Sequence, residues 1–379
     1  MPGLCAELIL KIIDEVKVDE DHATARSYSE VARYWVFPTR SLLFHTIHVD
    51  LDTDVQSWNS LLNANAKLHP DFAVPIHVRR VIIWSAGQAT YGPVPVSMEH
   101  LIRRFDKITI LDLRGAVSID WNDLRAQPLS LVRCLNLQGW LLSVVSTSIT
   151  KSFPSLSVLN IRDTVLSVVN SSAKDEEAFM TGPPVLHVMS VDSLWGTHLV
   201  DLIHLFRTIP SYWNVEMLDI RCSPRVMDRF FESLPHMKMR LKSLCCRPRG
   251  PLRPAVRLEN IDYLVALESF HIHILDIDTE NVLPELGRIM AQNLSSLEIG
   301  LGVTLLGDSP FELFNEWNTF RDIISNRARF PRLAVIDICI SDAAQCGRLF
   351  LKLTENNLKY VFLSLVDGLV NINIHLRGE

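Results

Sequence analysis

Two histidines one residue apart, His271 and His273, are the side chains of this sequence best spaced for metal chemistry. In a β-strand they would lie on one face, because side chains alternate along a strand with a period of two. Zinc would need a further ligand at the same point, and Cys245 and Glu298 occupy matching places in neighbouring segments. No HExxH or CxxC motif accompanies them. A metalloenzyme is therefore one hypothesis for this chain, and it rests on spacing alone.

The sequence contains none of the common catalytic or nucleotide-binding motifs. It has no P-loop, no GxSxG and no GxGxxG, and the GLG at 300–302 is too short to cradle a phosphate. We therefore predict a protein that is not an enzyme and that uses no cofactor.

A second set of side chains could hold another protein. Four arginines recur at one position of a repeated segment, and guanidinium groups grip carboxylate or phosphate through two parallel hydrogen bonds. A phosphorylated segment of a target is one possible ligand. The predicted target-binding residues are Asp112, Arg114, Arg162, Asp219, Arg221, Arg247, His271 and His273. The alternative is a solvated face with internal ion pairs, Asp112 with Arg114 and Asp219 with Arg221.

The repeated segment that carries these residues has the form LxxLxL. It occurs eleven times from about residue 76 onward, and the ten intervals between Val81 and Val361 average 28 residues. The middle apolar residues are Val81, Leu111, Leu135, Leu159, Met189, Leu218, Leu244, Phe270, Leu297, Ile336 and Val361. This spacing resembles the leucine-rich repeat, in which each LxxLxL forms a short strand.

Amphipathic stretches between the repeats predict helices, at 97–105, 201–209, 225–234, 281–293 and 343–353. We therefore predict an α/β fold, an irregular leucine-rich-repeat solenoid shaped as a horseshoe with a parallel sheet on its concave face. The alternative is a doubly wound α/β fold, which also alternates strands and helices. Three stretches depart from the repeat pattern. Residues 170–183 are predicted to be an acidic surface insertion, the Pro- and Arg-rich residues 247–257 to be irregular, and residues 307–330 to be a loop followed by a longer helix.

The N-terminal segment has a different pattern. Apolar residues at helical spacing predict a short amphipathic helix, and a second apolar stripe runs from Tyr28 to Trp35. Residues 1–46 resemble the F-box, in the form common in fungi. The residues that match its motif are Leu4, Glu7, Leu8, Ile12, Ile13, Asp14, Asp21, Thr24, Ser29, Val31, Arg33, Trp35, Leu43 and Phe44.

The resemblance implies a function. In that family the F-box docks on the Skp adaptor of a cullin-based ubiquitin ligase, while the repeats hold the protein to be ubiquitinated. Residues 47–379 would then form the target-binding solenoid of about eleven repeats. The predicted adaptor contacts are Leu4, Leu8, Ile9, Ile12 and Trp35. Cys5, Ala25, Tyr28 and Glu30 depart from the family pattern, so the alternative is an interaction scaffold whose degenerate F-box only caps the repeats.

Composition narrows the partners further. The net charge of −6 and a pI near 6.1 give no basic footprint for nucleic acid, and no apolar run is long enough for a membrane span. Seven cysteines without a paired framework are typical of reduced thiols. We expect a cytoplasmic or nuclear protein that is a monomer within a hetero-complex, bound to the Skp adaptor and an unknown protein target.

Overall fold

Parallel β-strands dominate the part of the chain that the computed structural model describes. The described residues are 43–50, 54–65, 74–85, 97–115, 126–139, 141–144, 149, 151–162, 165–168, 186–192, 214–236, 240–248, 258, 260–275, 279–289, 291–303, 313–342, 348–363 and 370–376. The predicted helix at 201–209, the insertion at 170–183 and the adaptor contacts Leu4, Leu8, Ile9, Ile12 and Trp35 lie outside them.

Fourteen strands are described. They are β1 (Thr46–Asp50), β2 (Arg80–Trp84), β3 (Ile110–Arg114), β4 (Cys134–Gln138), β5 (Leu141–Val144), β6 (Val158–Arg162), β7 (Val165–Val168), β8 (Val188–Asp192), β9 (Met217–Cys222), β10 (Ser243–Pro248), β11 (Ser269–Leu275), β12 (Ser296–Val303), β13 (Val335–Asp342) and β14 (Asn371–Leu376). Twelve form one parallel sheet in the order in which they occur along the chain, and β5 pairs with β7 in a second sheet. A doubly wound sheet reverses its strand order at a switch point, and no such reversal occurs in this sheet.

Six α-helices lie among the described residues. They are α1 (Val55–Asn65), α2 (Ser97–Arg103), α3 (Pro224–Ser233), α4 (Thr279–Arg288), α5 (Leu313–Ile324) and α6 (Arg348–Phe362). Four of the five predicted amphipathic stretches overlap α2, α3, α4 and α6, and α5 is the helix expected within 307–330. No helix in the described part of the chain is long and apolar enough to cross a membrane.

The apolar residues of the repeats form the core beneath the sheet. In β4, Leu135 and Leu137 are buried, while the alternate residues Cys134, Asn136 and Gln138 are only partly so. The predicted period of two therefore holds, and it leaves one face of the sheet to polar side chains. Together with one strand per repeat, this is the architecture of a leucine-rich-repeat-like fold.

The structure corrects the eleventh repeat. Residues 358–363 were predicted to be a strand, but they lie at the end of α6 and the last strand is instead β14. Leu358, Val361 and Phe362 are all buried, whereas Tyr360 is 79% exposed. That is the spacing of a helix that buries one side, because a strand would have put residues 358, 360 and 362 on the same face.

The segment 247–257 was also predicted to be irregular throughout, and this is wrong for its first two residues. Arg247 and Pro248 complete β10, where they are register partners of Arg221 and Cys222. Proline is tolerated there because it ends the strand and removes only one ladder hydrogen bond.

The chain divides into two compact units. Unit 1 comprises Met1–Asn160 and Ser167–Pro184, and unit 2 comprises Ile161–Leu166 and Val185–Glu379. Strands β1 to β4 lie in unit 1, and strands β8 to β14 lie in unit 2. The polar faces of the two units are described separately below.

Candidate functional site

The strand register aligns the polar residues of successive repeats into two columns in each unit. In unit 1 the first column contains Ile82, Asp112 and Asn136, and the second contains Trp84, Arg114 and Gln138. In unit 2 the first column contains Ser190, Asp219, Cys245, His271, Glu298, Asp337 and Asn373. The second contains Asp192, Arg221, Arg247, His273, Gly300, Cys339 and His375. The period of two applied to each LxxLxL segment predicts these columns, the residue between the last two apolar positions falling in the first column and the residue just after them in the second. The last repeat differs, because Asn373 and His375 occupy the places expected for Phe362 and Ser364.

A hydrogen-bonded ladder runs along the first column of unit 1. Arg80 donates from Nε to Asp112 Oδ2 at 2.8 Å and from Nη2 to the same oxygen at 2.5 Å. The Asn136 amide donates to Asp112 Oδ1. Asn160 Nδ2 in turn donates to Asn136 Oδ1 at 2.6 Å. The Asp112 side chain is only 1% exposed, so this carboxylate is both buried and saturated.

This ladder changes the part that Asp112 would play in binding. It was predicted to contact a target, but a buried carboxylate acts through its neighbours Arg80 and Arg114. Arg80 was not among the predicted site residues. It lies two residues before Ile82 on the same strand, so the period of two that placed Ile82 on the polar face could have placed Arg80 there too.

Arg114 is the exposed cation of the unit 1 face. Its Nη2 is 3.9 Å from Asp112 Oδ2, and its side chain is 47% exposed. The predicted Asp112–Arg114 pair is therefore present only as a long contact, since the short hydrogen bonds of Asp112 go to Arg80 and Asn136. Trp84, on the neighbouring strand, is 40% exposed.

The ion pairs of the unit 2 face are longer. Arg221 Nη2 is 3.7 Å from Asp219 Oδ2, which confirms the predicted pairing, and Arg162 Nε is 4.0 Å from Asp192 Oδ2. These separations exceed hydrogen-bonding distance. Neither arginine is therefore hydrogen-bonded to that carboxylate oxygen, although elsewhere in the first column the Asn373 amide donates to Asp337 Oδ1 at 2.8 Å.

Arg247 has a neutral partner. Its Nε donates to the Cys245 sulfur at 3.2 Å, and no carboxylate of the described residues lies within 4.0 Å of its guanidinium group. Burial, together with the negative charge of Asp219, raises the pKa of the Cys245 thiol to about 11. Cys245 therefore stays protonated at pH 7 and does not neutralise Arg247.

The two histidines that suggested metal binding have other neighbours. His271 Nδ1 lies 3.4 Å from Glu298 Oε2, and the Cys339 thiol donates to the other oxygen of Glu298 at 3.5 Å. His273 lies against Gly300, where an added Cβ would be 2.6 Å from the ring. Within the described ranges, no group of three or more His, Cys, Asp or Glu side chains is arranged to hold a metal ion. The metalloenzyme hypothesis gains no support from this part of the chain.

All eight predicted target-binding residues lie on the polar faces of the two units. Asp112 and Arg114 are on unit 1, and Arg162, Asp219, Arg221, Arg247, His271 and His273 are on unit 2. Their binding role stays a prediction, as does that of the adaptor contacts.

Comparison with known proteins shows distant similarity to solved structures alone. No family model matches this chain, and no curated protein matches it. Among solved structures, one chain of the crystal structure of the Rad7 and Elc1 complex in yeast is similar at 13% identity, with 92% of this chain and 97% of that chain covered and a TM-score of 0.27. A TM-score of this size does not establish a shared fold, so the leucine-rich-repeat-like class rests on the parallel sheet and its repeat pattern.

Proposed function

We propose that this protein is a substrate-recognition subunit of an Skp-cullin-F-box ubiquitin ligase, with no catalytic activity of its own. The observation that carries the proposal is a parallel sheet whose polar face presents charged side chains from successive repeats. The residues that resemble an F-box precede this sheet in the sequence. Such a protein would work in the cytoplasm or the nucleus.

The polar face suits the binding of a protein target. Its side chains project from hydrogen-bonded strands, and a rigid support reduces the entropy lost when a partner docks. Arg114, Arg221 and Arg247 offer guanidinium groups that no short ion pair occupies. A target held in this way would have a raised effective concentration near the ligase, which is the whole contribution of a non-catalytic receptor.

The N-terminal segment would supply the other contact. Leu4, Leu8, Ile9 and Ile12 repeat at helical spacing and would form one apolar face. A helix of about three turns is marginal alone, so it would be stabilised by packing on the Skp adaptor. Trp35, from the second predicted helix, would support the same contact.

Adaptor binding by the full-length chain tests the proposal. We expect the purified protein to bind an Skp adaptor in a calorimetric titration. The double variant Leu8→Asp/Ile12→Asp should weaken binding by at least about tenfold, because charges replace apolar side chains at the contact. Lys11→Ala, on the polar side of the same predicted helix, is the matched control and should bind as the wild type does.

Two results would contradict the proposal. One is a wild-type chain that does not bind the adaptor, and the other is a double variant that binds as tightly as Lys11→Ala. Either would favour the scaffold alternative, in which the N-terminal helices only cap the repeats. Thermal unfolding of each variant, compared with the wild type, shows whether a loss of binding reflects a loss of folding.

A further inference from the structure

Three side chains stand in a row at the carboxyl ends of adjacent strands in unit 1. Trp84, Arg114 and Gln138 are the last residues of β2, β3 and β4, and they are register partners. Neighbouring strands in a sheet are about 4.8 Å apart. The three residues that carry the indole, guanidinium and amide groups are therefore close enough for one short peptide to contact all of them. We call these three residues the Trp84 row.

The backbone beneath the Trp84 row is fixed. The Ser85 N–H donates to the Arg114 carbonyl at 3.2 Å, and the Gly115 N–H donates to the Gln138 carbonyl at 2.8 Å. Gly115 has a φ of 108°, and an added Cβ would lie 2.9 Å from the Ser85 carbonyl oxygen. Only glycine fits such a turn without strain. The backbone positions at the ends of the three strands are consequently fixed, and so are the points from which the three side chains project.

Among the described residues, no carboxylate lies closer than 3.9 Å to the Arg114 guanidinium group of the Trp84 row. The nearest carboxylate, Asp112, accepts two hydrogen bonds from Arg80 and one from Asn136. Arg80 and Asp112 thus form a neutral pair, and Arg114 remains 3.9 Å from that carboxylate. A half-exposed guanidinium group that is beyond hydrogen-bonding distance of this carboxylate can donate hydrogen bonds to an anionic ligand.

The neighbouring indole adds apolar surface at the same point. Trp84 exposes 40% of its surface on a face that is otherwise mostly polar. Tryptophan and arginine are the residue types most enriched among the side chains that dominate binding energy in protein interfaces. Their side-by-side placement is what would be expected at the centre of a binding site.

We infer that the Trp84 row binds an anionic side chain of a partner protein, either a carboxylate or a phosphoryl group. Arg114 grips the oxygens, Gln138 donates a further hydrogen bond, and Trp84 covers the apolar part of the bound segment. This inference deepens the proposed function, on which it rests for the assumption that the polar face binds a target.

The unit 2 face is a poorer place for the same ligand. Arg221 already has Asp219 at 3.7 Å. Glu298 and Asp337 lie in the first column of the same face and would repel an anion. The matched control is instead Arg133, an exposed arginine of unit 1 that directly precedes β4 and lies in neither column.

Peptide arrays with the full-length protein test the inference. The probes are four degenerate peptide pools whose central residue is fixed as Glu, phosphoserine, Gln or Ser. We expect the wild type to bind the Glu pool, the phosphoserine pool or both at least about tenfold more strongly than the Gln and Ser pools, the size expected of a charge-assisted hydrogen bond. The contrast between the Glu and phosphoserine pools identifies which anion is preferred.

Three variants assign the effect to residues. Arg114→Gln should abolish the preference for anionic pools. Trp84→Ala should weaken binding to every pool by about tenfold while keeping the preference. Arg133→Gln should behave as the wild type does. All three positions are exposed or half-exposed, so folding should be retained, and thermal unfolding of each variant checks this.

The inference is overturned if the wild type shows no preference for anionic pools, if Arg114→Gln keeps that preference, or if Arg133→Gln loses it to the same extent. Adaptor binding, measured on the same preparations, separates this result from the proposed function. An anion preference without adaptor binding contradicts the ligase proposal alone, whereas adaptor binding without the preference contradicts the Trp84 row alone.

Discussion

The two units build their polar faces from the same strand motif, but they treat the acidic residues differently. In unit 1, Asp112 is buried and accepts short hydrogen bonds from Arg80 and Asn136. In unit 2, Asp219 is partly exposed, and its arginine partner is 3.7 Å away. The difference arises from the neighbouring residues. Unit 1 has Arg80 two positions earlier on the adjacent strand and the amides of Asn136 and Asn160 on the next two strands. In unit 2 the equivalent residues are Val188, Cys245 and His271.

The comparison separates two uses of a charged residue. A saturated, buried carboxylate contributes to folding, because its removal leaves donors without acceptors. A loosely paired, partly exposed carboxylate contributes less to folding, and its negative charge acts on its neighbours, as that of Asp219 does on Cys245. The two units should therefore respond differently to the same kind of substitution.

Removal of the central carboxylate should have the largest effect. Asp112→Ala leaves the Asn136 amide and the partly exposed Arg80 guanidinium without their acceptor, which typically costs about 1–3 kcal/mol. Asp219→Ala, the matched change in unit 2, should cost about 0–1 kcal/mol, as for a surface pair. Denaturant unfolding of both variants measures the two values. Equal losses in the two variants would contradict the distinction between the faces.

Cys245 should make the stability of the protein fall at alkaline pH. Burial raises the pKa of this thiol from 9.0 to about 11 in the folded state. Between pH 9 and pH 11 the unfolded chain therefore loses a proton that the folded chain retains, and unfolding becomes more favourable as the pH rises. Thermal unfolding between pH 8 and pH 11 measures this fall.

Two variants identify the group responsible. Cys245→Ser should make the fall in stability above pH 9 shallower without removing it, because burial also raises the pKa of the Cys222 and Cys246 thiols, and it should add no pH dependence below pH 8. Asp219→Asn should lower the pKa of Cys245, since the Asp219 charge is one cause of the shift. A wild-type and a Cys245→Ser protein with the same pH dependence would show that the thiol is not coupled to folding.

The strands and their polar face were predictable from the sequence because a strand has a simple period. Ten of the eleven LxxLxL segments form strands, since the apolar positions must be buried and the period of two then fixes the rest. The exception, around Phe362, shows the limit of this reasoning. Leu358, Val361 and Phe362 fit both a strand motif and one side of a helix, and packing within the fold decides between them.

Which side chains pair with each other was harder to predict from the sequence. The sequence suggested Asp112 with Arg114, but the short hydrogen bonds go from Arg80 to Asp112, across adjacent strands. Which arginine reaches a carboxylate depends on the stagger and rotamers of neighbouring strands, and spacing within one strand does not encode them. The alignment of Trp84, Arg114 and Gln138 in one column, by contrast, follows from the repeat spacing alone.

An exposed ion pair of unit 2 should show the smallest effect. Lys242 Nζ lies 2.9 Å from Glu216 Oε1, and both side chains are well exposed. The hydrogen bond from Lys242 is the main cause that lowers the pKa of Glu216. Lys242→Ala should therefore raise that pKa, which an NMR titration of the Glu216 carboxyl group detects.

The denaturation midpoint of Lys242→Ala at neutral pH should stay unchanged, because water and salt already screen the pair. A clear loss of stability in this variant would show that exposed ion pairs stabilise unit 2. The contrast with the buried hydrogen bonds of unit 1 would then be wrong.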